Sequence, residues 1–158
     1  MLARWLSVAG VVLAIDQLTK RIVVTRLDYL DEVPVLPFFS WVRWHNEGAA
    51  FSFLNDAGGW QRWFFSALAI GFSAYLIFEL RRLRQGEWLQ GLAYALILAG
   101  ALGNLIDRLA YGYVVDFVLL HYSGHVFPAF NVADSSIFIG AVLWFLLLWR
   151  ETCAEMAS

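Results

Sequence analysis

The sequence predicts an all-α membrane protein: four transmembrane helices, with a small extracytoplasmic β element between spans 1 and 2. Three observations carry that expectation. The chain is 61% hydrophobic and only 15% charged, where a soluble domain has about 25% charged residues. Its mean hydropathy is +0.64. Four windows approach the ~20 mainly apolar residues that a helix needs to cross a bilayer: residues 5–24, 60–80, 88–109 and 132–149. With 158 residues the chain is one domain's worth, a single membrane domain over 1–158.

The first window begins like a signal peptide, with Arg4 ahead of an apolar run. The apolar pattern resumes after Asp16 and Gln17, and no small-x-small cleavage site follows the run. It therefore reads as a retained span. Asp16 and Lys20 stand four apart, share a helix face and can pair. An ion pair that only fixes the span explains them as well as a functional role does.

Residues 28–59 are the only sizeable extramembrane piece on this reading. Pro34 and Pro37 break helix there. Phe39 to His45 has the aromatic and β-branched content of a strand, Asn46–Glu47–Gly48 reads as a turn, and Ala49 to Leu54 is expected to return as a second strand. Such an aromatic platform is either packing or a guide for an extended peptide. Trp5, Trp60, Trp63, Trp88 and Trp149 lie near span ends, as interfacial anchors do.

In the third span Gly100 and Gly103 allow close helix approach. Asn104, Asp107 and Arg108 then put an amide, an acid and a guanidinium on one helical face. A site loop follows over 110–131, with Asp116 inside the apolar run Val114 to Val118. Asn131 and Asp134 open the fourth span and have the spacing of a capping box. Capping would account for Asp134 taken alone, but not for Asp116, which has no helix to cap.

Carboxylates are expensive in apolar surroundings, so acids at a membrane edge are functional candidates. Two close carboxylates resist ionising together: one keeps a proton while the other stays charged. The charged member can take a proton from water and the protonated one can polarise a carbonyl, the aspartic protease arrangement. Asp116 and Asp134 are the candidate pair. A Zn-binding His-Glu-x-x-His and a Gly-x-Ser-x-Gly elbow are both missing from the sequence. Neither a metal nor a cofactor is expected. The net charge of −2 argues against nucleic acid as a partner. The single cysteine, Cys153, allows no internal disulfide. A proton-coupled carrier using Asp16, Lys20, Asp107, Arg108, Asp116 and Asp134 as a relay is the alternative.

Orientation rests on one loop. Arg4, Arg81, Arg82, Arg84 and Arg150 would share one side, against Lys20, Arg21, Arg26, Arg43, Arg62 and Arg108 on the other. The near-equal totals decide nothing. The three arginines between spans 2 and 3 place both termini in the cytoplasm and the aspartates near the outer face.

Five pieces, in order along the chain, resemble lipoprotein signal peptidase (signal peptidase II) of the bacterial inner membrane. They are Asp16-Gln17-x-Thr19-Lys20; Asn46-x-Gly48-Ala49-Ala50-Phe51-Ser52; Gly100-x-x-Gly103-Asn104-x-x-Asp107-Arg108; Val115-Asp116-Phe117; and Phe130-Asn131-x-Ala133-Asp134. The resemblance implies removal of the signal peptide from diacylglyceryl-modified prolipoproteins, with cleavage N-terminal to the lipidated cysteine. It implies that Asp116 and Asp134 are catalytic, that Asn46, Asn104, Arg108 and Asn131 surround them, and that Asp16 and Lys20 stabilise. Gly48 and Asp107 fall within the same motifs. Glu47 stands where a small polar residue is common in the family. Membrane lipids and lipidated prolipoproteins are the implied partners.

Overall fold

A computed structural model describes residues 1–48 and 59–156. The order of elements is α1 (Leu2–Arg26), β1 (Glu32–Leu36), β2 (Phe39–Asn46), α2 (Trp60–Arg82), α3 (Trp88–Ala110), β3 (Val114–Tyr122), β4 (His125–Val126) and α4 (Val132–Met156). Helices thus cover all four expected windows. Three of them, α2, α3 and α4, are long and apolar enough to cross a membrane. Asp16, Gln17, Lys20 and Arg21 interrupt the apolar run of α1.

α3 is the central helix. Of its apolar window 61% is buried, against 22% for α2 and 17% for α4, because α1, α2 and α4 all pack on it. The small residues on α3 make that possible. A Cβ at Gly100 would strike the Ala133 carbonyl oxygen of α4, and a Cβ at Gly91 would strike the Trp5 indole of α1. A Cβ at Gly140 of α4 would lie 2.8 Å from the Ala93 carbonyl oxygen. Helix axes can approach this closely only where the side chain is a hydrogen atom. Many apolar residues of α1, α2 and α4 stay exposed, among them Leu18, Leu68, Phe138 and Phe145, as lipid-facing helices require.

The β element is larger than expected. It is a four-stranded antiparallel sheet in the order β1-β2-β3-β4. Phe39 to Asn46 forms β2, as the aromatic pattern indicated; the expected strand Ala49 to Leu54 lies outside the described residues. Two of the strands come from 110–131, which was expected to be a loop, so residues 28–59 are not the only sizeable piece outside the helices. The run Val114–Val115–Asp116–Phe117–Val118 has the β-branched and aromatic content of a strand, and β3 pairs with β2 through Trp44–Asp116 and Asn46–Val114. Ser123 and Gly124, both at positive φ, turn β3 into β4 as a two-residue hairpin. Pro34 stands in the edge strand β1, where a missing N–H does least harm.

The chain then returns to β3. The Phe117 and Val118 amides both donate to the Phe130 carbonyl oxygen, at 3.1 and 2.9 Å, and the Phe130 amide donates to Val118 O at 3.0 Å. This short bridge sets the start of α4 beside the middle of β3.

Candidate active site

Asp116 sits on β3 with only 3% of its surface exposed. Its two oxygens receive two asparagine amides: Asn131 Nδ2 donates to Oδ1 at 2.7 Å and Asn46 Nδ2 to Oδ2 at 3.1 Å. Burial, and next to it the negative charge of Asp134, push its pKa up to about 8. The two amides and the Lys20 ammonium pull the other way without reversing the balance.

Asp134 lies in the first turn of α4. It forms the expected capping box with Asn131: the Asp134 amide donates to Asn131 Oδ1 at 2.9 Å, and the Asn131 amide donates to Asp134 Oδ2 at 3.3 Å. The other oxygen, Oδ1, accepts Asn104 Nδ2 at 2.8 Å. Asp134 is half-buried and opens on a groove of about 580 Å³ lined by Phe127, Phe130, Ile137, Phe138 and Ala141 among others. One carboxyl is therefore enclosed and the other is reachable along an apolar channel.

Lys20 lies behind the pair and uses all three of its N–H bonds. Nζ is 3.0 Å from Asp16 Oδ2, 2.9 Å from Asp107 Oδ2 and 3.0 Å from Asn104 Oδ1. Each acceptor leads onward to the aspartates. Asp16 Oδ1 accepts the amide of Ala133, next to Asp134, at 2.8 Å. Asp107 Oδ2 accepts the amide of Val115, next to Asp116, at 3.1 Å. Asn104, with its oxygen held by Lys20, must present its amide nitrogen to Asp134. One buried cation thus ties α1 and α3 to the two segments that carry the aspartates.

Arg108 points away from this hub. Its Nη2 donates to Gly48 O at 2.8 Å, its Nη1 to Asn104 O at 3.4 Å, and its guanidinium lies 5.3 Å from the centre of the Phe65 ring. Gly48 is held in turn, since its amide donates to Asn46 Oδ1 at 3.0 Å. The turn expected at Asn46–Glu47–Gly48 begins with this side-chain bond.

The candidate residues Asp16, Lys20, Asn46, Gly48, Asn104, Asp107, Arg108, Asp116, Asn131 and Asp134 thus form one connected set. Gln17, which stands in the first-span motif but not among the expected site residues, also belongs to it. Its Nε2 donates to Asp107 Oδ1 at 3.1 Å, and to Asp16 Oδ2 and Gly103 O at 3.2 Å each. A polar residue inside an apolar span, beside a buried acid, was the available signal. The histidines stand elsewhere. His45 is stacked between Tyr29 and Tyr113, with ring centres at 4.2 and 3.7 Å, and burial, followed by Arg43, lowers its pKa. His121 Nε2 is 2.9 Å from Ser40 Oγ, which donates to Glu32 Oε1 at 2.8 Å.

The family model described as Signal peptidase (SPase) II matches residues 8–150. A lipoprotein signal peptidase of Acinetobacter baumannii is 54% identical over 139 residues, which span 88% of this chain and 79% of that protein. One from Teredinibacter turnerae is 50% identical over 146 residues, 92% of this chain and 85% of the other. A solved bacterial membrane enzyme superposes with a TM-score of 0.85 at 34% identity, covering 95% of this chain and 90% of its own. A second gives 0.79 at 35% identity, with 92% of each chain covered.

Proposed function

The chain belongs to the signal peptidase II family, the bacterial inner-membrane proteases that remove signal peptides from prolipoproteins, and we propose that Asp116 and Asp134 are the pair that cuts the peptide. The observation that carries this reading is Asn131, which bonds Asp116 through its side-chain amide and Asp134 through its backbone amide and side-chain oxygen. Asn131 is fully buried, so this one residue, through its side chain on Asp116 and its backbone amide on Asp134, holds both carboxyls in a common frame.

The enclosed Asp116 carries the shared proton at rest, and Asp134 is the base. Water between them loses a proton to Asp134 as its oxygen attacks the scissile carbonyl carbon. Asp116 gives its proton to the carbonyl oxygen. The tetrahedral intermediate collapses when the proton on Asp134 passes to the leaving nitrogen, the C–N bond breaks, and Asp116 recovers its proton. Acid and base are both supplied by side chains, so the hydrolysis is metal-independent. Arg108 braces the Gly48 turn near the pair. The substrate carries a diacylglyceryl group on the cysteine after the cut, and its acyl chains lie in the apolar groove beside Asp134.

α1 is the fourth span: its 25 residues rise about 37 Å, and its buried charges are matched by Asp107 and Asn104 on α3. Both termini are cytoplasmic and the pair lies at the outer face. The family's activity, and the gathering of the acids around one end of α3, leave the carrier reading without support. The test is cleavage of a diacylglyceryl-modified prolipoprotein by the purified protein after exhaustive chelation. Full activity is expected; a loss restored by one particular metal would overturn the metal-independent mechanism.

A further inference from the structure

A second apolar groove, of about 350 Å³, lies between the end of α1 and the sheet. Ile22, Val23 and Arg26 of α1 wall it on one side; Val33, Trp41 and Phe117, from three different strands, wall it on the other. Side chains of successive strand residues point to opposite faces, so Phe117 faces this groove while Asp116, its neighbour, faces the asparagines. Neither Asp116 nor Asp134 is among the residues that line the groove.

The surface of α1 leads into it. Val11, Ile15, Leu18 and Ile22 are each about half exposed or more, at 60, 48, 60 and 55%, and their spacing puts them in one stripe. From Val11 to Ile22 the helix rises about 17 Å, close to the ~15 Å half-thickness of the hydrocarbon core. Arg26 stands at the far end, exposed and without a hydrogen bond or ion pair among the described residues. An apolar track as long as one leaflet, ending in a free guanidinium, has the chemistry of a phospholipid: acyl chain below, phosphate above.

We infer that this groove is a phospholipid site, taking one acyl chain of a bilayer lipid against Ile22, Val33, Trp41 and Phe117 with its phosphate on Arg26. On the reading that the substrate's acyl chains lie in the groove beside Asp134, this second groove, which shares no lining residue with the first, is left to a bilayer lipid.

Native mass spectrometry of the detergent-purified protein mixed with dioleoyl phosphatidylglycerol tests this without using cleavage, so it stands or falls apart from the peptidase mechanism. One lipid should be retained by the wild type. Ile22→Trp, which fills the groove, and Arg26→Gln, which removes the charge at an exposed position, should each lower retention about tenfold. Phe78→Trp, an exposed apolar position on α2, should leave it unchanged. A diacylglyceryl-modified peptide should not displace the lipid. Equal retention by wild type, Ile22→Trp and Arg26→Gln would overturn the site, and displacement by the modified peptide would reassign the groove to the substrate.

Discussion

Asn131 Nδ2 lies 2.7 Å from Asp116 Oδ1, although the two residues are 15 positions apart and belong to different elements. The same side chain, through its oxygen, caps the helix that carries Asp134. Replacing either aspartate by asparagine keeps the shape of the site and removes the ionisable group. Asp116→Asn and Asp134→Asn should therefore each bind a lipidated prolipoprotein and lose about 10³-fold or more in cleavage rate. A near-normal rate in either variant would make that aspartate a packing or capping residue.

The alkaline side of the pH profile belongs to Asp116. In the folded protein it holds its proton up to about pH 8, against an ordinary value of 3.8. Cleavage should fall as pH rises through about 8. Stability follows the same proton: the folded state binds it more tightly over this interval, so the associated stabilisation is complete at acid pH and is lost as pH rises through about 8. Asn46→Ala removes an amide that favours the charged form, and should shift the alkaline limb upward. A pH–rate curve for the two proteins checks both the position of the limb and the direction of the shift.

Lys20 neutralises charges that have no water around them. The side chains of Lys20, Asp16 and Asp107 are 4, 1 and 1% exposed. Lys20→Met strands both carboxylates and should cost about 3–5 kcal/mol of stability, with Lys20→Met/Asp107→Asn recovering part of it. Thermal unfolding in detergent decides: an unchanged midpoint in Lys20→Met would mean that the ammonium is not what holds α1 to α3.

Backbone contact between α3 and α4 sets the position of Asp134. At Gly100 a methyl group meets the Ala133 carbonyl oxygen, Ile137 and Ser136, so Gly100→Ala should push the first turn of α4 away and lower kcat more than it raises KM. Gly10→Ala meets nothing within 4 Å and should be silent in the same assay.

Topology can be read from the only cysteine. Cys153 is exposed near the end of α4. A membrane-impermeant maleimide should label it in inside-out inner-membrane vesicles and not in spheroplasts. Labelling in intact spheroplasts would invert the proposed orientation and put the carboxyl pair on the cytoplasmic side.

The helical part of the fold was legible because a bilayer imposes a length and a composition, and both are local properties of sequence. All four windows are helical, and the small residues Gly100 and Gly103 marked a face where α1 and α4 approach α3 closely. The strand character of Val114 to Tyr122 was also present, in a β-branched and aromatic run, but an acid in its middle favoured a loop reading. Pairing with β2 brings the Asn46 amide to Asp116, and the return of the chain before α4 brings the Asn131 amide. Gln17 went unselected because an amide in a span carries no charge to draw notice, and its three acceptors come from residues up to 90 positions away.

By itself the sequence determined which residue types are available: two acids in apolar surroundings, asparagines that can donate to them, and a single lysine, Lys20, with Arg108 toward the ends of their spans. Their family order pointed to a peptidase. Only the tertiary structure decided how they are shared out. Lys20 had an obvious partner in Asp16, four residues earlier, yet it also holds Asp107 and Asn104 across a helix interface. Asp134 had a complete local explanation as a cap, yet its remaining oxygen is taken by Asn104. Periodicity and spacing report contacts within an element; an ammonium with three donors and a carboxylate with two acceptor oxygens can satisfy the rest only with groups that folding brings to them.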